Sequence, residues 1–145
     1  MDDHLHEARQ QRAGLRAAVG RLEGALATPA SGRAVDWAKE VGIELDLLGD
    51  ALQLHIAVTE ADDGLLHDII EHAPRLAHRV ARVQEDHVLL RRHLERARDG
   101  LPRRDDDVAA ARDLVVDLLT AVVRHRHMGA DLVYEAFNVD LEAAD

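Results

Sequence analysis

The sequence predicts an all-α domain built as an up-down-up-down four-helix bundle. Three observations carry that expectation. Apolar residues recur at three- and four-residue spacing along most of the chain, no run alternates apolar with polar residues as a half-buried strand does, and aromatic side chains are almost absent. With only Trp37, Tyr134 and Phe137 as aromatics, the core must come from Leu, Val, Ile and Ala, which interdigitate well where helices approach closely. The 145 residues suit one domain, and residues 1–145 are read as a single unit.

The first helical segment spans 3–27, with Ala8, Leu15, Val19, Leu22 and Leu26 on its stripe, and stops at Thr28-Pro29-Ala30-Ser31-Gly32. The second, 34–60, lines up Trp37, Val41, Leu45, Leu48 and Leu52 and meets a break at Asp62-Asp63-Gly64. The third, 65–99, carries Leu76, Val80, Val83, Leu90 and Leu94. Pro74 interrupts it near residue 74, and Gly100-Leu101-Pro102 ends it. The fourth, 105–138, opens on Asp105-Asp106-Asp107, whose carboxylates suit a helix N-terminus, and continues through Leu114, Leu118 and Val122 towards Phe137. Short connections between segments of this length favour antiparallel neighbours.

Composition removes several classes of function. A formal net charge of −10 argues against nucleic acid, since phosphate binding needs a basic surface. No stretch approaches the roughly 20 apolar residues of a membrane span, and the polar start Met1-Asp2-Asp3-His4 is not of the signal-peptide kind, so a cytoplasmic protein without membrane contact is expected. The absence of cysteine excludes disulfides, thiolate nucleophiles and thiolate-bound metals. Thr28, Ser31, Thr59 and Thr120 lack a nucleophile-elbow context and no Gly-rich phosphate loop occurs, so a conventional hydrolase or transferase is not indicated.

Ten histidines remain to be explained. At about 100° per residue, each can be assigned to a face of its own segment. His87 continues the series Val80, Val83, Leu90, Leu94. His72 falls on the stripe of Leu65, Ile69 and Leu76, His55 extends Leu45, Leu48 and Leu52, and His125 follows Leu114, Leu118 and Ala121. His4 lies on the first stripe, while His6, His67, His78, His93 and His127 point outward. A buried imidazole without a partner costs roughly 1–3 kcal/mol, and neutral imidazole is the commonest metal ligand, so a converging set reads as a metal site of histidine and carboxylate. Levels along the bundle leave two sets open: His4, His55 and His72 if the chain turns at Asp62-Asp63-Gly64, or His55, His87 and His125 if it turns at Pro74.

His55-Ile-Ala-Val-Thr59-Glu60, Glu85-Asp86-His87 and the run from His125 through Met128 and Asp131 to Glu135 resemble the hemerythrin-like, HHE-type cation-binding bundle. The resemblance implies a four-helix bundle holding non-haem iron, as a mono- or di-iron centre, with histidines and bridging carboxylates as ligands. It implies a small diatomic ligand, oxygen or nitric oxide, or the handling of peroxide. On the fourth segment His127 and Asp131 match the family's spacing best, whereas periodicity turns His125 inward; taking facing and resemblance together, the expected metal ligands are His55, Glu60, His72, His87 and His125, with His127 and Asp131 in reserve. Thr59 and Val83 stand where the family has ligands. The alternative is a metal-free interaction or assembly protein of the same architecture, with the histidines hydrogen-bonded to Gln11 or Thr59 and a homodimer covering a helix end.

Overall fold

The computed structural model describes residues 2–104 and 108–141, all of them helix, turn or loop. The acidic start expected for the last helix, Asp105 to Asp107, and the end of the tail from Glu142 lie outside the described residues. Five α-helices form: α1 (Asp2–Leu26), α2 (Ala34–Thr59), α3 (Leu65–His72), α4 (Ala77–Asp99) and α5 (Ala109–Phe137), with a 3-10 turn at Pro74–Leu76. Among the described residues no helix is long and apolar enough to cross a membrane.

The third expected segment is thus two helices. Pro74 disfavours helical geometry in the residue before it, and Ala73 adopts φ −138° and ψ 75°, which ends α3 and lets the chain re-enter helix after Leu76. The connection before α3 is equally tight. Gly64 sits where an added Cβ would lie 2.5 Å from the Val58 carbonyl oxygen, so only glycine fits there. At the other end of α5, Asn138 takes the left-handed conformation (φ 55°) and its N–H donates to the Tyr134 carbonyl, turning the chain back over the helix end.

α1 packs along α2 and α4 along α5, while α2 meets α4 and α1 meets α5. Cross-helix contacts fix the register. Arg21 reaches Glu44 at 3.4 Å, Arg98 reaches Asp46 at 3.1 Å, and Arg12 donates to the Arg126 carbonyl at 3.2 Å. Between α1 and α2, Arg21 meets Glu44 and the later Thr28 meets the earlier Glu40; between α2 and α4, Asp46 meets Arg98 and the later Glu60 meets the earlier His87, so these neighbours run antiparallel. The short α3 touches all four long helices and closes one end.

The apolar interior falls into two clusters. The larger contains Leu15, Leu22, Trp37, Leu48, Leu90 and Leu118, the smaller Leu5, Ile69, Val80, Val83, Leu132 and Leu141. Between them runs a polar layer. Arg12, Thr59, His87 and His125 are the four buried polar or charged residues of the described chain, and all lie at this seam, one from each long helix.

Candidate metal centre

Three imidazoles meet in the polar layer. His55 comes from the last turn of α2, where Thr59 donates its hydroxyl to the His55 carbonyl at 2.8 Å. His87 sits mid-way along α4, flanked at Val83 by the smaller apolar cluster and at Leu90 by the larger, and is 1% exposed. His125 occupies the equivalent position on α5, between Val122 and Leu132, and is 4% exposed. The Nε2 atoms of His55 and His125 are 3.2 Å apart, as are those of His87 and His125. One nitrogen from each ring lies within 4.8 Å of the other two.

The far sides of two of these rings are held by carboxylates. His87 Nδ1 is 2.9 Å from Glu60 Oε1, and His125 Nδ1 is 2.7 Å from Asp86 Oδ2. A carboxylate accepts, so each of these rings carries its proton on Nδ1 and turns a bare Nε2 lone pair to the centre. The network assigns this tautomer. The His55 Nδ1 is buried and has no partner among the described residues. Burial, the neighbouring imidazoles and the Arg12 charge, in that order, depress the pKa of His55 to about 3. Burial, with His125 next, brings His87 to about 3 as well. His125 is lowered too, by burial, against the opposing effect of its hydrogen bond to Asp86. All three rings are therefore neutral near pH 7.

Proton counting then gives a mismatch. At most one N–H, from His55, can point into a centre where the His87 and His125 lone pairs face each other at 3.2 Å. With all three rings neutral and both carboxylates ionised, no arrangement of protons satisfies all three nitrogens. A metal ion removes the conflict by accepting the three lone pairs together. Two of the three spacings, at 3.2 Å, suit one, since tetrahedral metal–nitrogen bonds of about 2.0–2.1 Å place neighbouring nitrogens roughly 3.3–3.4 Å apart. Beside the histidines is a cavity of about 50 Å³ with largely aliphatic walls, including Leu15, Leu66, Ile69, Val83, Leu132 and Leu141.

No family model, curated protein or solved structure matches the chain. The site is accordingly read from its own geometry.

Of the expected ligands, His55, His87 and His125 converge. Glu60 stands beside them, half-buried, with its carboxylate on the back of His87. His72 is a correction. It ends α3 on the surface, its ring 5.0 Å from that of Phe137: it shares the face of the buried Leu65 and Ile69 but stands at the terminal turn, beyond the last buried residue of that helix. Of the reserves, His127 and Asp131 are both exposed and line a surface cleft with Arg79 and Arg124. His4 is half-buried and bonded to Asp68, apart from the centre. Of the histidines expected to point outward, His6, His67 and His78 are exposed, whereas His93 is half-buried beside Arg96. Gln11 does not appear among the histidine partners, and Thr59 bonds backbone rather than imidazole.

Two participants were not singled out by the sequence. Asp86 escapes a helical projection because its role depends on the ring of another helix. Arg12 left a usable signal, a charged residue four positions after Ala8 and three before Leu15, on the stripe itself.

Proposed function

We propose that the chain is a metal-binding four-helix bundle of hemerythrin-like type, holding a non-haem transition-metal ion through His55, His87 and His125. Convergence of three imidazoles, two of which turn bare Nε2 lone pairs towards each other at 3.2 Å, is the observation that carries this reading. Imidazole with carboxylate behind it and no thiolate suits iron, zinc or manganese, and the resemblance in sequence favours iron. When bound, such an ion would supply an open coordination position for a small ligand, next to the aliphatic cavity.

The chain's own residues divide the work. Glu60 and Asp86 orient two imidazoles and fix their tautomer, and the two apolar clusters keep bulk water from the layer. A second reading, a metal-free interaction protein, draws support from α2, where Ile43, Leu47 and Leu54 present apolar side chains to solvent at helical spacing.

Elemental analysis of protein purified from iron-supplied cells, and again after anaerobic Fe²⁺ reconstitution, tests the proposal together with thermal unfolding. A stoichiometric ion and a raised Tm are expected. An ion at about 100 times its Kd adds roughly 2.7 kcal/mol to stability. No stoichiometric metal after reconstitution, and an unmoved Tm, would reject it in favour of the interaction protein.

A further inference from the structure

Bridging carboxylates are what a two-ion centre requires, and the placement of Glu60 and Asp86 speaks against it. Each bonds the Nδ1 of a ring whose Nε2 points inward. The two nitrogens of an imidazole diverge, so a carboxylate seated on one is beyond coordination distance of an ion seated on the other. The three inward nitrogens are also too tightly grouped to serve two ions, since His125 Nε2 lies 3.2 Å from each of the others. Among the described residues this is the one group of three or more histidine or acidic side chains close enough to hold a metal.

We infer that, if the metal-binding reading holds, the centre is mononuclear. His55, His87 and His125 are its only protein ligands, and Glu60 and Asp86 are positioning residues that never touch the ion. The carboxylate on Nδ1 keeps each ring's proton away from the metal side, holds its orientation and makes its Nε2 more basic. Such partners contribute tenfold to a hundredfold in metal affinity in sites of this kind. His55, whose Nδ1 has no acceptor among the described residues, is the ligand without a carboxylate behind it. Its orientation rests on packing in the last turn of α2.

X-ray absorption on the full chain loaded with Zn²⁺, and separately with Fe²⁺, reads the first shell directly. The expected result is one ion per chain, a shell containing three imidazoles and no protein carboxylate, and no scattering from a second metal. Glu60→Gln and Asp86→Asn should leave the stoichiometry and the imidazole shell intact while weakening Zn²⁺ affinity tenfold to a hundredfold in competition with a chromophoric chelator. In the metal-free protein, the nitrogen-15 shifts of His87 and His125 should report protonated Nδ1, and each substitution should redistribute the tautomers of its own ring. Two ions per chain, a metal–metal vector, or a carboxylate oxygen in the first shell that disappears in either variant would overturn the inference while leaving metal binding intact. Failure to bind either ion defeats the metal-binding reading itself.

Discussion

Acid should unfold the metal-free protein through its buried imidazoles, and the size of the effect follows from the site. In the folded chain His55 and His87 titrate near pH 3, against 6.5 for a free histidine. Between those values the unfolded state binds protons that the folded state refuses. The stability associated with neutral rings is therefore complete above pH 6.5 and is lost as pH falls towards 3. One ring in this regime costs about 2 kcal/mol at pH 5, and the two together about 4 kcal/mol, a large part of the 5–15 kcal/mol that holds an ordinary domain. Urea unfolding at pH 7.5 and pH 5.0, in the presence of a strong chelator, measures this through the fluorescence of Trp37, the sole tryptophan and fully buried in the larger cluster. His55→Leu should remove one share, flattening the pH dependence by about 2 kcal/mol. A variant whose stability declines with acid in parallel with the unmodified protein would show that His55 is not held neutral, and the proton count at the centre would fail with it.

Other perturbations have equally definite outcomes. His87→Leu should abolish stoichiometric metal binding by elemental analysis while far-ultraviolet circular dichroism shows a folded helical protein. Gly64→Ala should cost about 1–3 kcal/mol in urea unfolding, because its methyl group meets the Val58 carbonyl oxygen at 2.5 Å and the backbone must shift. Leu118→Ala, at a fully buried position of α5, should cost about 2–5 kcal/mol by the same assay. Chelation should lower the Tm of metal-loaded protein and leave that of His87→Leu unchanged.

Helical periodicity made the long elements legible because each long helix buries one continuous stripe. The facing of His87 and His125 followed for the same reason, since both lie well inside a single unbroken helix. His72 did not follow. It shares the face of Leu65 and Ile69, but the chain leaves helical geometry at Ala73 (φ −138°), so its ring sits on the terminal turn of α3, where periodicity does not tell burial from exposure. Glu60 is expected as a ligand, but it follows the last residue of α2, Thr59, and its contact there is with the Nδ1 of His87. Asp86 was illegible in principle from one helix at a time. Its value lies in reaching a ring on α5, and register between helices is fixed by packing rather than by local pattern.

The polar layer also bears on cooperativity. A seam of charged and imidazole groups between two apolar clusters contributes little attraction across itself, so without an ion the halves are joined chiefly by the continuity of α1, α4 and α5, since α2 ends at the seam. The smaller half depends on the short α3 and on Leu141 beyond the end of α5 to complete its interior. In the metal-free protein it should open as a unit of its own, with amides around Ile69 and Val133 exchanging before those around Leu48 and Leu118. An ion drawing on α2, α4 and α5 at the seam would join the halves into one transition, making the metal a determinant of how the chain unfolds as well as of what it binds.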